Sequence, residues 1–488
     1  MTVFEFTGWN NVLQGYFQKM LEVFRRAVPG FVVVAVAVPG MALAHASEQS
    51  FVLLLPTGLY TAGGVAAVAL TALILVFLPD RATLALFRPL RLAPPPALRR
   101  TRRLGWRLRW RLVAGWLGCL AFLGLVWLGL RGPHDPTVNL LPIALWTALW
   151  GILVPLQALT GNLWARFNPW AGPLLSARAL GLRPLARLPA RLGHWPALAS
   201  LTAFGALLLI DPRAQDPHRL VVLASGYWAL HLAGGLVFGP GWIGRAEAFS
   251  VLSAAYARLA PLYAGRLGLP GWRIAAAPAP ALPLAVLMAA MLALGSFDGL
   301  NETYFWFDLI GVNPLEFAGR TSVVGPNAAG LLAALPAMAA VFAACLWLGQ
   351  RLGGGPGLAV TFRTFAPALL PIALGYHIAH YLPGLLVELQ YLPLALTDPL
   401  GRGADYLGIG EVHVTTGFFN RLDTVRVIWL AQAGAVVGGH VLAILLGHRL
   451  AIGLYGSTRR AVLAQAPLAA FMVGYTLFGL WLLASPRL

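Results

Sequence analysis

The chain has 488 residues, of which 59% are apolar and only 11% are charged, and its formal net charge is +18. A soluble domain carries about 25% charged residues, so the composition excludes a soluble protein of this size. The positive charge comes almost entirely from arginines grouped between apolar runs, as in the cytoplasmic loops of membrane proteins. The densest block, residues 99–111, is therefore interpreted as a loop on anionic lipid, and no nucleic acid partner is expected.

Residues 1–46 are predicted to be an N-terminal extension followed by a signal-peptide-like segment, in which two arginines precede a short apolar run and small residues. Cleavage after Ala44 would make His45 the new N-terminus, cleavage after Ala46 would release Ser47, and an uncleaved anchor is the third alternative. An N-terminal histidine can chelate a metal through its α-amine and its ring, and copper favours such nitrogen ligands. His45 is therefore a candidate metal ligand.

Residues 47–488 are predicted to form a single all-α polytopic membrane domain with about ten spanning helices, each of about 20 apolar residues. The ten apolar runs lie at 51–79, 112–130, 139–160, 195–211, 219–239, 280–297, 326–350, 364–383, 427–447 and 463–484. The loops after the odd-numbered runs are rich in arginine, whereas most of the 17 carboxylates fall in the loops on the opposite side. This asymmetry predicts a bacterial inner-membrane protein whose mature N-terminus and C-terminus are both periplasmic.

Three segments between the spans have predicted roles of their own. Two outer loops are long, at about 298–325 and 384–426, and loops of this length are more often functional than idle. Residues 245–263 alternate apolar with small or polar positions at helical spacing, which predicts an interfacial helix on the cytoplasmic face.

The stretch "GYHIAHYLPGLLVELQ" carries the first candidate site. His377 and His380 are three residues apart near the outer end of the eighth run, and this spacing places both rings on one helix face. Two imidazoles there could share a divalent or copper-type transition metal. The alternative is a pair of hydrogen bonds between membrane helices. Glu388 follows in the same stretch and is a candidate general base.

The stretch "SFDGLNETYFWF" carries the second candidate site. Asp298 and Glu302 are four residues apart at the outer end of the sixth run and would face together if the helix continues past Gly299. Asp298 is a candidate metal ligand, and Glu302 is a candidate general base for a hydrolase. The alternative is the solvated start of a loop.

Three further histidines are candidates for a relay. His231 and His440 fall near the middle of their apolar runs, and His218 falls at the outer start of its run. Ionisable groups inside membrane helices are often part of a proton or ion path, although each could equally be a polar packing residue. They support the main functional alternative, a transporter or metal-handling protein. A non-catalytic subunit with partners in a larger membrane complex is the third alternative.

Several stretches together suggest a family: "HASEQSFVLLLPTGLYTAGG", "GNLWARFNPWAGP", "SGYWALHLAGGLVFGPGWIGRAEAFSVL", "SFDGLNETYFWF" and "GYHIAHYLP". Over about residues 45–450 the chain resembles bacterial polytopic membrane proteins named fenitrothion hydrolase. The resemblance implies hydrolysis of a small organophosphorus ester, and it brings no catalytic residues to this chain. Such hydrolysis is commonly metal-assisted. The leading hypothesis is therefore a multi-pass inner-membrane protein with a metal site at the periplasmic face of the lipid bilayer. If this site is catalytic, we expect a metal-dependent hydrolase of organophosphorus or related esters.

Overall fold

The computed structural model describes residues 55–92, 100–317, 319–410 and 412–487. The predicted signal-like segment, its alternative cleavage positions and His45 all lie outside the described residues. These described residues are 74% helical with almost no strand, so the predicted all-α polytopic architecture is confirmed.

The first part of the chain forms nine helices among the described residues. They are α1 (Thr57–Phe77), α2 (Asp80–Leu86), α3 (Arg100–Arg131), α4 (Leu140–Thr160), α5 (Ala171–Ala179), α6 (Trp195–Leu209), α7 (Pro217–Phe238), α8 (Ile243–Ala246) and α9 (Ala248–Leu259). The remainder forms α10 (Trp272–Ala275), α11 (Leu282–Leu300), α12 (Tyr304–Leu309), α13 (Arg320–Gly353), α14 (Leu358–Glu388), α15 (Tyr391–Thr397), α16 (Leu422–Tyr455) and α17 (Thr458–Ala484).

Nine of the described helices are long and apolar enough to cross a membrane: α1, α3, α4, α7, α11, α13, α14, α16 and α17. The remaining predicted span, at 195–211, forms α6, which is apolar but has only 15 residues. This is shorter than the about 20 residues that a span needs. The Asp211-Pro212 step begins two residues after the end of α6, and proline disfavours a helical conformation at the residue before it.

The segment predicted as an interfacial helix is instead enclosed by protein. It contains α9, and nine of the twelve residues of that helix are buried. Phe249 and Leu252 belong to the main hydrophobic core together with Trp150 of α4. The prediction was wrong because an amphipathic pattern does not distinguish a lipid surface from a protein surface.

A small antiparallel sheet joins two loops. Its strands are β1 (Leu90–Arg91), β2 (Leu262–Tyr263) and β3 (Arg266–Leu267), in the order β1-β3-β2. Leu267 is paired with Leu90 on one side and with Leu262 on the other.

Two features of the bundle position the candidate site. Gly375 of α14 and Gly439 of α16 bring these helices into backbone contact, because a Cβ on Gly375 would lie 2.3 Å from the carbonyl oxygen of Ala435. Small residues allow such close approach between membrane helices. The middle of α4, Ile143–Leu153, is π-helical, a conformation that is rare and frequent at functional sites. Trp150 lies in this segment and packs edge-on against the ring of His377.

Candidate metal centre

The centre of the candidate site is Asp298, on the last turn of α11. The helix continues through Gly299 to Leu300, so Asp298 is held on a regular helix. Gly299 is required by close packing, since a Cβ at this position would lie 1.6 Å from the hydroxyl oxygen of Tyr376 on α14. The absence of a side chain at Gly299 therefore lets α11 and α14 approach each other where Asp298 and His380 meet.

Asp298 and His380 form a buried polar pair between these two helices. Oδ2 of Asp298 lies 3.4 Å from Nε2 of His380, and the hydroxyl of Tyr381 donates a hydrogen bond to the same oxygen. The side chains of Asp298 and His380 are only 6% and 7% exposed. A buried carboxylate is costly unless it is paired and hydrogen bonded, and these two contacts supply that compensation.

Glu302 completes a group of three possible ligands. One oxygen each from Asp298 and Glu302 and one nitrogen of His380 all lie within 4.8 Å of one another. Glu302 is also 4.0 Å from the guanidinium of Arg320, and its side chain is 30% exposed. The group is therefore buried at Asp298 and His380 and open to the surface on the side of Glu302.

Arg487 reaches the group from the end of the chain. Residues 486–487 are held against the start of α12, because the N–H of Tyr304 donates to the carbonyl of Pro486 and Thr303 forms a β-bridge with Arg487. One guanidinium nitrogen lies 3.3 Å from Nδ1 of His380. Because an arginine only donates, Nδ1 accepts and the proton of a neutral His380 is on Nε2, facing Asp298.

A small cavity adjoins Asp298 and His380. Its volume is ≈ 20 Å³, which is enough for one water molecule. Its polar and aromatic lining consists of Trp150, Tyr256, Asp298, Tyr376, His377, His380 and Tyr381. The hydroxyl of Tyr376 is buried and has no hydrogen-bond partner among the described residues, so the cavity has an unused polar group at its wall.

Two predicted site residues lie outside the group of three ligands. His377 lines the cavity, but its Nε2 is 3.0 Å from the carbonyl oxygen of Trp150. Glu388 accepts a hydrogen bond of 2.7 Å from the hydroxyl of Thr147 on α4. His377 and His380 both line this cavity, but helical spacing could not show that the carbonyl of Trp150 would engage only His377.

The three predicted relay histidines lie apart from the group. Both ring nitrogens of His231 have neighbours: Nε1 of Trp242 donates to Nδ1 at 3.2 Å, and the hydroxyl of Ser200 lies 3.4 Å from Nε2. Nδ1 of His440 is 2.9 Å from the carbonyl oxygen of Val436 in the preceding turn. His218 is exposed at the start of α7.

Sequence reasoning missed Arg487 and Tyr381. Arg487 is a single arginine after the last apolar run and carries no motif. Tyr381 directly follows His380, but the sequence gives no sign that its hydroxyl points to Asp298. Both contacts join residues far apart in the chain, so only the packing of α11, α14 and the C-terminal segment reveals them.

Comparison of the chain with protein-family models, with curated proteins and with solved structures finds no match. No family is therefore assigned on these grounds. The geometry of Asp298, Glu302 and His380 carries the functional proposal instead.

Proposed function

We propose that this multi-pass membrane protein binds a divalent transition-metal ion through Asp298, Glu302 and His380 and uses it to hydrolyse small esters. The single observation that carries the proposal is the convergence of the three ligand atoms within 4.8 Å. Nitrogen and oxygen ligands lie about 2.0–2.2 Å from a zinc-sized ion, so two of them are at most about 4.4 Å apart. Asp298 and His380 already satisfy this limit at 3.4 Å, and the group needs only a small contraction.

The chemistry of the donors supports a catalytic rather than a structural ion. Two carboxylates and one imidazole suit zinc, manganese or iron. Three protein ligands leave a coordination position open, which is the arrangement of catalytic sites. A divalent ion there would lower the pKa of water to about 7 and polarise the oxygen of a phosphoryl or carbonyl group.

The cavity and the exposed side of Glu302 suggest where water and substrate would lie. The cavity beside Asp298 accommodates one water, and it is too small for an ester. A substrate would therefore approach from the side of Glu302, whose side chain is 30% exposed. This geometry favours a ligand role for Glu302 over the general-base role that its sequence position suggests.

The test is ester hydrolysis by full-length protein in detergent, after chelation and again after addition of Zn²⁺, Mn²⁺ or Fe²⁺. We expect hydrolysis of a neutral organophosphorus triester to stop on chelation and to return with one of these ions. Hydrolysis by the Asp298→Asn variant should not return when the ion is added. Hydrolysis by Glu316→Gln, which changes an exposed carboxylate in the same outer loop, should return fully. Hydrolysis that survives chelation, or no hydrolysis with any of the ions, would contradict the proposal.

A second function, proton or ion transport, is favoured by one observation. Buried polar groups extend from Asp298 into the bundle: Tyr376 lines the cavity, and the hydroxyls of Ser296 and Tyr475 are hydrogen bonded. The ring of His440 follows, 6.1 Å from that of Tyr475, and its Nε2 has no hydrogen-bond partner in the described part of the chain. Buried histidines of this kind serve proton relays in transporters.

Sealed liposomes distinguish the two functions. Transport predicts ion uptake or a pH change inside the vesicles that His440→Phe abolishes. Hydrolysis predicts turnover in detergent without a gradient, which His440→Phe leaves unchanged while Asp298→Asn removes it.

A further inference from the structure

His134 and His218 place two imidazole rings in contact away from the group of three ligands. Their ring centroids are 4.1 Å apart and the rings are nearly perpendicular, at 74°. His134 lies in the loop between α3 and α4, and His218 lies in the first turn of α7. Both residues are exposed, so an ion could reach the rings directly from solvent.

The backbone around His134 is fixed by local hydrogen bonds. The side chain of Asn139 donates to the carbonyl of Pro133 at 2.7 Å. Asp135 accepts from both the N–H and the hydroxyl of Thr137, at 2.9 Å and 2.7 Å. This loop is therefore held in one conformation beside the ring, which lowers the entropic cost of binding a ligand.

The backbone around His218 is equally fixed. Asp216 caps α7 by accepting from the N–H of Arg219 at 3.0 Å, and Pro217 occupies the first helical position. The side chain of Arg219 in turn pairs with Asp211 at 2.6 Å. Asp216 and Asp211 have partners in the helix cap and in this ion pair, and Asp135 accepts from Thr137, so the two imidazoles are the nitrogen ligands that this surface offers.

We propose that His134 and His218 form a second transition-metal site, independent of Asp298, Glu302 and His380. Each ring supplies one nitrogen, and water completes the coordination shell. Imidazole ligands suit copper, nickel and zinc, and Cu²⁺ binds most tightly in this series. An all-nitrogen exposed pair therefore selects Cu²⁺, whereas the buried centre with two carboxylates accepts harder ions.

The ring separation suits such a site. Two nitrogens bound to one ion at about 2.0–2.1 Å lie at most about 4.2 Å apart. The ring centroids of His134 and His218 are 4.1 Å apart, so the two side chains are near enough for each to turn one nitrogen toward a shared ion.

The experiment titrates CuCl₂ into full-length protein in detergent, purified without a histidine tag, by calorimetry and by electron paramagnetic resonance. We expect one copper to show coupling to two nitrogens. His134→Ala and His218→Ala should each weaken its binding by about 10²-fold, because the chelate is lost. In each variant the electron paramagnetic resonance spectrum of the bound copper should show coupling to only one nitrogen.

Two controls make the result specific. His413→Ala removes another exposed histidine and should leave the two-nitrogen copper unchanged. Asp298→Asn should also leave the two-nitrogen copper unchanged. A loss of ion binding at Asp298, Glu302 and His380 can therefore be distinguished from a loss of the copper site. Both histidines are exposed, and unchanged thermal unfolding of their variants will show that the fold is intact. Copper binding that is equal in wild type, His134→Ala and His218→Ala would overturn the proposal.

Discussion

Oδ2 of Asp298 lies 3.4 Å from Nε2 of His380, and this contact joins α11 to α14 inside the bundle. Glu302 follows Asp298 by four residues, and one of its oxygens lies within 4.8 Å of the ligand atoms of Asp298 and His380. The contact thus links two helices and also joins two of the three residues of the proposed metal-binding group. Its surroundings lead to separate predictions for packing, charge and ligand identity.

Gly299→Ala should damage the site through packing alone. The new Cβ would overlap the hydroxyl of Tyr376, which is buried and cannot move away without disturbing α14. Overpacking of this kind costs about 1–3 kcal/mol. We expect a lower thermal unfolding temperature and weaker ion binding. Gly434→Ala on α16, where a Cβ meets nothing within 4 Å, should cause neither change.

Arg487→Ala should tighten ion binding. The guanidinium lies 3.3 Å from Nδ1 of His380, and a cation at this distance opposes a second cation on the same ring. We expect the dissociation constant to fall by about tenfold, a change of about 1.4 kcal/mol. Calorimetric titration with Zn²⁺ measures it, and Arg402→Ala, an exposed arginine, is the control. Weaker binding in Arg487→Ala would mean that the tail helps to hold the ion.

His377 and His380 should differ in their effect on the ion. His380→Ala removes a proposed ligand, whereas His377→Ala removes a hydrogen bond to the carbonyl of Trp150. We expect His377→Ala to retain the ion and to lose about 1–3 kcal/mol of stability, because it leaves a buried acceptor unsatisfied. Metal content and thermal unfolding are measured on the same preparations. Equal loss of ion from both variants would make His377 a ligand as well.

The burial of Glu247 predicts that stability depends on pH at a point outside the proposed metal centre. It caps α9 by accepting from the N–H groups of Phe249 and Ser250 and from the hydroxyl of Tyr227. Complete burial nevertheless raises the pKa of Glu247 above its ordinary value. The folded state therefore binds this proton more tightly, so the contribution of Glu247 to stability is full below its unfolded pKa and is lost as pH rises through the folded pKa.

The measurement compares unfolding temperatures of wild type and Glu247→Gln between pH 8 and pH 5. Other titrating groups are common to both proteins and cancel in the difference. We expect wild type to gain stability relative to Glu247→Gln as the pH falls. A constant difference, or one of opposite sign, would show that the pKa of Glu247 is not raised.

The spans could be predicted because a run of about 20 apolar residues has few other structures available to it. The structure differs from the prediction at two segments, and at each of them the same sequence pattern fits two environments. The run at 195–211 forms α6, which ends at Leu209 just before the Asp211-Pro212 step and is shorter than a span. The amphipathic segment that contains α9 packs against protein instead of a lipid surface.

The candidate site could be predicted only in part. Spacing along one helix indicated Asp298 with Glu302, and separately His380 with His377. That α11 meets α14 is a long-range packing relationship set by Gly299 and Tyr376, and single-sequence spacing carries no information about it. The contact of Arg487 with His380 and the contact of His377 with the carbonyl of Trp150 depend on the same kind of long-range packing.

The most direct test of the metal centre is the metal content of the full-length protein by mass spectrometry. The protein should be purified in detergent without a histidine tag and without chelators, beside Asp298→Asn, Glu302→Gln and His380→Ala. We predict one zinc, manganese or iron per wild-type chain, and a loss of that ion in all three variants but not in the Glu316→Gln control. Wild-type protein without such an ion, or three variants that retain it fully, would contradict the account.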